Sequence, residues 1–297
     1  MESRFTVRFF KRLITFTVLG ILLTLTVAVV VLSVKVSALS AEVGNIGTSG
    51  ENEVNTAEPA VSVEEEALPY QQRYTSLYIR DEFRQAKPKS KTVYLTFDDG
   101  PSAACTPEVL DILKKYDIRA TFFVVGSITG ENREIVQRII DEGHTIGIHT
   151  YTHSYESIYQ SVDTYLADFE KLWTELYEEF SYRAEIFRFP GGSVNTYNYM
   201  LSHQLIAEMY RRGFIYFDWN ASAEDAASGN PGSDVVTQRI LNGVRNADRS
   251  IVLMHDSSSM TATVEAVPEI IEQLKDEGYS FDKLDRSVKP ITFSYLK

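Results

Sequence analysis

Thr92-Val93-Tyr94-Leu95-Thr96-Phe97-Asp98-Asp99-Gly100-Pro101 opens as a strand and ends as a turn. Positions 93–97 are apolar, aromatic or β-branched, the signature of a buried strand. Two carboxylates follow at its C-terminal end, then a Gly-Pro pair that sets a tight turn. Thr106-Pro107-Glu108 next supplies a cap residue and a proline at the first helical position, which predicts a helix as far as Tyr116.

The same alternation continues outward from this stretch. Strands are expected over 120–125, 145–148, 185–189, 214–218, 251–254 and 279–282, and helices over 132–142, 162–180, 199–211, 234–246 and 264–277. Gly143 ends the first of these helices. Strands joined by helical crossovers pair in parallel and are covered by helices. The expectation is an α/β fold, a distorted (β/α) barrel of about seven parallel strands. An open doubly wound sheet would show the same alternation. Both architectures gather functional groups where strands end.

The reactive residues fall at those ends. Asp98 and Asp99 follow the first strand, His149 and His153 the third, Arg188 the fourth, Asp218-Trp219 the fifth, and His255-Asp256 the sixth. Of five histidines, three belong to this set; His144 precedes a strand and His203 falls within a helix, so both read as structural. In His149-Thr150-Tyr151-Thr152-His153 the i, i+4 spacing would bring two imidazoles together on a helical turn, where a carboxylate could complete a metal site. Alone, the pair reads equally as two cap or surface histidines. Adjacent carboxylates in an extended chain point to opposite faces, so one could bind metal while its neighbour faces a reacting water. Asp-Gly-Pro by itself is ordinary turn chemistry.

Taken together, these segments resemble the polysaccharide deacetylases, the carbohydrate esterases related to the NodB chitooligosaccharide deacetylase. The motifs stand in family order as Thr96-Phe97-Asp98-Asp99-Gly100-Pro101, His149-Thr150-x-x-His153, Arg188-Phe189-Pro190-Gly191-Gly192, Asp218-Trp219 and Leu253-Met254-His255. The resemblance implies that Asp99, His149 and His153 hold a divalent metal, zinc first, with cobalt or nickel suited to the same ligands. It implies Asp98 as general base oriented by Arg188, and His255 as general acid with Asp218 as its orienting partner. It further implies a backbone N–H near Gly191 for the oxyanion, and Trp219 and Leu253 around the acetyl methyl. Two departures stand out. Gly191 replaces the tyrosine that borders the substrate groove in many relatives, and Ile215 stands where the fourth motif has a leading aspartate. Cys105, the single cysteine, is expected to be a half-buried spectator, and its solitude excludes an internal disulfide.

The chain is not uniform along its 297 residues. Positions 1–12 form a basic tail with Arg4, Arg8, Lys11 and Arg12, and 13–34 carry no charge. Such a run spans about 30 Å of hydrocarbon at roughly 1.5 Å per residue. The positive-inside bias predicts a single-pass signal anchor with a cytoplasmic N-terminus and an extracellular domain; a cleaved signal peptide ending near Ala38 is the competing reading. Positions 35–69 contain seven glutamates and no aromatic residue, the composition of a disordered linker. Tyr70, Tyr74, Tyr78 and Phe83 predict that 70–90 packs on the domain at 91–297. A net charge of -12, from 29 Lys and Arg against 41 Asp and Glu, argues against a nucleic-acid partner. The expected function is N-deacetylation of amino sugars in a cell-envelope polysaccharide, with peptidoglycan GlcNAc foremost. O-acetyl ester hydrolysis and a non-catalytic glycan-binding module are the alternatives. The module would be expected to lack Asp98 or His255, and both are present.

Overall fold

The computed structural model describes residues 67–82, 84–226 and 231–293. In chain order the elements are α1 (Pro69–Gln72), β1 (Thr92–Asp98), α2 (Thr106–Lys115), β2 (Thr121–Val124), α3 (Arg133–Asp141), β3 (Thr145–Ile148), α4 (Tyr155–Ile158), α5 (Val162–Phe180), β4 (Ile186–Phe187), α6 (Ser202–Arg211), β5 (Ile215–Tyr216), β6 (Ala221–Ser222), α7 (Ser233–Arg245), β7 (Arg249–His255), α8 (Thr261–Asp276) and β8 (Ser280–Phe281). A 3₁₀ turn at Gly130–Asn132 leads into α3.

Seven strands run side by side in the order β5-β4-β3-β2-β1-β7-β6. Every ladder is parallel, as the helical crossovers require. The two ends of this order, β5 and β6, are consecutive in sequence, so the sheet curls into a half-barrel consistent with a distorted (β/α) barrel. The chain turns the open corner at 217–220, where the Asp218 N–H donates to the Ile291 carbonyl at 2.9 Å. One member of the expected seven differs. The strand near 279–282 is present as β8 but lies off the path, beside Thr92 and Val93, where β2 does not reach. The seventh place belongs to β6, a two-residue strand.

Alternation along each strand divides the core in two. Val93, Leu95 and Phe97 face outward, in one cluster with Val109, Leu110 and Leu113 of α2 and Val267, Ile270 and Ile271 of α8. Tyr94 faces inward, clustered with Phe123, Ile186, Ile215, Phe217 and Ile251. Thr96 and Asp98 share this inward face, one and two steps nearer the C-terminal end. The register pairs Asp98 with His255 and Thr96 with Leu253, so these four residues look into the barrel from adjacent strands.

The lead-in segment is tied down from the side. Arg212, fully buried after α6, donates to the carbonyls of Tyr70, Arg73, Tyr74 and Leu77, and its Nε pairs with Glu208 at 2.7 Å. Leu77 is wholly buried and Tyr70, Tyr74 and Ile79 pack on the outer core. Phe83, the basic tail, the expected anchor at 13–34 and the linker up to 66 lie outside the described residues. Among the described residues no helix is long and apolar enough to cross a membrane.

Candidate active site

Asp98 ends β1 and is 2% exposed. Its Oδ1 accepts from Arg188 Nη1 at 2.7 Å. Arg188 is itself wholly buried and fully engaged: Nη1 also reaches Thr96 Oγ1 at 2.7 Å, Nε the Phe217 carbonyl at 2.9 Å and Nη2 the Asp218 carbonyl at 3.4 Å. Its guanidinium lies 4.2 Å from the centre of the Phe123 ring. Burial pushes the Asp98 carboxyl up, and the adjacent Arg188 charge opposes that rise.

The neighbouring carboxylate does not point away, as an extended chain would have required. Asp99 has left the strand with φ of 71° and turns back over the site. Its Oδ1 lies 3.5 Å from His149 Nε2 and 3.2 Å from His153 Nε2. The two histidines are not on a helical turn either. Residues 149–153 form an irregular loop, with Thr150 at φ 66° and His153 at φ 53°. Asp168 of α5 pins that loop, accepting from the Tyr151 N–H at 2.5 Å, the Thr152 N–H at 3.2 Å and Thr152 Oγ1 at 2.6 Å. His149 Nδ1 donates to the Arg188 carbonyl at 2.8 Å, which leaves the lone pair on Nε2 facing Asp99. Burial pushes His149 down to about 3, so the ring is neutral and able to ligate.

These three residues suit a divalent metal. One ligand atom from each of Asp99, His149 and His153 lies within 4.8 Å of the others. Asp99 Oδ1 is buried without a hydrogen-bond donor, an expensive vacancy unless a cation or its ligand shell satisfies it. Two imidazoles and one carboxylate are a three-ligand set that leaves a divalent cation an open position.

His255 ends β7 opposite Asp98, with Nε2 4.0 Å from Asp99 Oδ2. Its orienting partner is Asp225, not Asp218. Asp225 Oδ1 lies 2.7 Å from His255 Nδ1, Oδ2 accepts the His255 N–H at 2.9 Å, and Thr263 Oγ1 donates to Oδ2 at 2.7 Å. Burial disfavours protonation of His255, but the Asp225 hydrogen bond and charge, with Asp98 and Asp99 behind, outweigh it and push the imidazole up to about 9. Asp218 is occupied elsewhere: Oδ1 accepts the Ser193 N–H at 2.8 Å, and Oδ2 accepts Ser193 Oγ at 2.6 Å and the Phe293 N–H at 2.7 Å. It holds the loop after β4 and the C-terminal segment against the open corner. Asp225 was missed because the strand it follows, β6, is too short to read from sequence.

Gly191 is exposed, and its N–H makes no hydrogen bond among the described residues. Trp219 is half-buried on the inner cluster, its ring 4.7 Å from that of Phe293, and Leu253 lies one inward step below His255. Cys105 is wholly rather than half buried, packed in the outer core. His144 is buried and accepts the Ala120 N–H at 3.0 Å; His203 is exposed on α6. Asp256, placed at a strand end by the sequence but given no role there, is wholly buried, with Oδ2 accepting from Thr106 Oγ1 at 2.5 Å and Oδ1 without a donor. Burial pushes it up to about 7 against the Thr106 hydrogen bond. A methyl group at Gly100 would meet its carboxylate at 2.3 Å, so only glycine fits that turn.

Comparison with known proteins agrees with this geometry. Residues 85–209 match the polysaccharide deacetylase family. The putative polysaccharide deacetylase YheN of Bacillus subtilis (strain 168) is 33% identical over 253 residues, which cover 83% of this chain and 86% of that protein. The peptidoglycan-N-acetylglucosamine deacetylase PgdA of Listeria monocytogenes serotype 1/2a (strain 10403S) is 35% identical over 201 residues, 67% of this chain and 40% of that longer protein. Among solved structures, the catalytic domain of peptidoglycan N-acetylglucosamine deacetylase from Eubacterium rectale ATCC 33656 superimposes with a TM-score of 0.67 at 34% identity, covering 73% of this chain and 98% of that one. With its sequence, its fold and its convergent strand ends all in agreement, the chain belongs to the polysaccharide deacetylase family.

Proposed function

We propose that the chain is a metal-dependent hydrolase that removes N-acetyl groups from amino sugars of a cell-envelope polysaccharide, with GlcNAc of peptidoglycan as substrate. The observation that carries this reading is the donor cluster of Asp99, His149 and His153 beside a buried carboxylate, Asp98, and a histidine held by Asp225. A divalent cation on that cluster, zinc by its ligand types, would polarise the acetyl carbonyl and activate water.

The chain's own residues supply the proton transfers. Asp98, held by Arg188, takes a proton from the attacking water. His255, held by Asp225, returns a proton to the amine nitrogen as the C–N bond breaks and acetate leaves. The Gly191 N–H is the donor available for the oxyanion, a role worth about 3–4 kcal/mol for a well-placed group. Trp219 and Leu253 wall the side of the site on which the acetyl methyl would sit. Asp218 supports the Gly191 loop through Ser193 and does not act on His255.

The location follows from the N-terminal sequence. An uncharged run at 13–34 behind four basic residues supports a single-pass anchor, with the linker at 35–69 holding the catalytic domain outside the membrane. The test is acetate release by the purified full chain from peptidoglycan, from GlcNAc oligomers and from O-acetylated xylan. Release from the first two supports the proposal. Release from the xylan alone would make the enzyme an O-acetyl esterase, and release from none would overturn hydrolysis of any of these acetyl groups.

A further inference from the structure

A file of aromatic rings leaves the metal-ligand cluster and runs outward to solvent. The His149 and His153 rings are 5.1 Å apart, His153 and Tyr155 5.3 Å, and Tyr155 and Tyr197 5.0 Å. Exposure rises along it, from 2% at His149 through the half-buried Tyr155 to 51% at Tyr197. Tyr155 opens α4, and Tyr197 lies in the loop after β4, so a helix start and a separate loop bring these rings together.

Gly191 makes this arrangement possible. It has φ of 74°, and a Cβ there would lie 2.9 Å from the Tyr155 ring and 3.0 Å from its hydroxyl. The tyrosine ring therefore occupies the space that a side chain at 191 would take, beside a backbone N–H without a partner. The Tyr155 hydroxyl likewise makes no hydrogen bond among the described residues. A half-buried phenol without a partner at the edge of a catalytic cluster, beside the amide that serves the oxyanion, is a polar contact open to a ligand. The outer ring adds an apolar face. A pyranose suits this mixture, since it offers a C–H face for an aromatic ring and hydroxyls for the phenol.

We infer that Tyr155 and Tyr197 form a sugar-binding platform, which takes the pyranose next to the one being deacetylated and makes the enzyme selective for oligomers over a single N-acetylated sugar. This inference rests on the proposed deacetylase reading for the identity of the sugar, but not for its test.

The test is direct binding of the GlcNAc tetramer to the chelator-treated full chain by titration calorimetry, which needs no turnover. Tyr197→Ala removes an exposed ring and should weaken binding about tenfold. Tyr155→Phe keeps the ring, loses the hydroxyl and should weaken it about fivefold. In a parallel turnover assay the same changes should raise KM for the tetramer with kcat nearly constant, and leave GlcNAc monomer unaffected. Tetramer affinities equal to wild type in both variants, or no tetramer binding by the wild type, would overturn the platform. If wild-type binding is tight and sensitive to these residues yet no acetate is released, the platform stands and the deacetylase reading falls.

Discussion

Arg188 and Asp99 flank the same carboxylate, Asp98, and are built in opposite ways. Arg188 belongs to the floor of the site, where three polar side chains are buried and spoken for: Arg188 by four acceptors, Asp218 by three donors, Asp225 by His255 and Thr263. Asp99 belongs to the rim, with His153, Gly191, Tyr155 and Tyr197. There the backbone is left-handed at three positions, Asp99, His153 and Gly191, and donors and acceptors stand open. A saturated floor fixes geometry but can bind nothing more. An unsaturated rim is unstable by itself and is the part that takes up ions and sugars.

Substitutions at each level can break or sharpen this contrast. The largest effect is expected at the floor. Arg188→Ala leaves Asp98 buried and unpaired, which should cost about 3–5 kcal/mol of stability in urea unfolding and about 10²–10³-fold in kcat/KM. Near-wild-type stability would mean that the floor is not held together as described. Next, Asp225→Asn should lower kcat about 10²-fold with the fold intact by circular dichroism. Asp218→Asn should instead act mainly on thermal stability, through the loop at Ser193 and the segment at Phe293. The reverse ranking of rates would return the orienting role to Asp218.

Between floor and rim lies Asp168, which touches neither metal nor substrate but fixes the loop of both histidines. Asp168→Ala should weaken zinc binding by about 10–100-fold, read by competition with a chromogenic chelator. Unchanged affinity would show that the loop holds its shape unaided.

The smallest effect is expected away from the site. Burial holds His144 down to about 4, with Glu142 opposing and Lys283 and Arg119 reinforcing. Above its ordinary value of 6.5 the ring is neutral whether folded or unfolded, so the stability is fully present. As pH falls from 6.5 towards 4, the unfolded chain takes up a proton that the folded one refuses, and stability declines. His144→Asn should reduce the difference in urea midpoint between pH 7 and pH 5. An unaltered difference would place the acid sensitivity elsewhere.

The floor and the rim were not equally legible in the sequence. The continuous apolar run of β1 and the capped start of α2 announce themselves, because burial on both faces and helix capping each leave a local pattern. Asp98, Arg188 and His255 are legible too, since strand ends must face one end of a barrel. The positions of Asp99 and His153 relative to their neighbours were not. Strand alternation and helical spacing both assume regular backbone, and left-handed residues at 99, 150 and 153 void that assumption. Asp225 was hidden by a two-residue strand, whose place in the sheet is fixed by pairing with β7 rather than by its own composition. Tyr155 and Tyr197 lie 42 residues apart in the sequence, and the Tyr155 ring reaches its place only because residue 191 has no side chain.

The central claim is that one cation on Asp99, His149 and His153 makes the site active. It is tested most directly by stripping the full chain with chelator and titrating zinc back while following acetate release from the GlcNAc tetramer. No release is expected after stripping, with recovery complete at one equivalent of zinc and no recovery at any zinc concentration in His149→Ala. Release that survives chelation, or that zinc restores equally in His149→Ala, would contradict it.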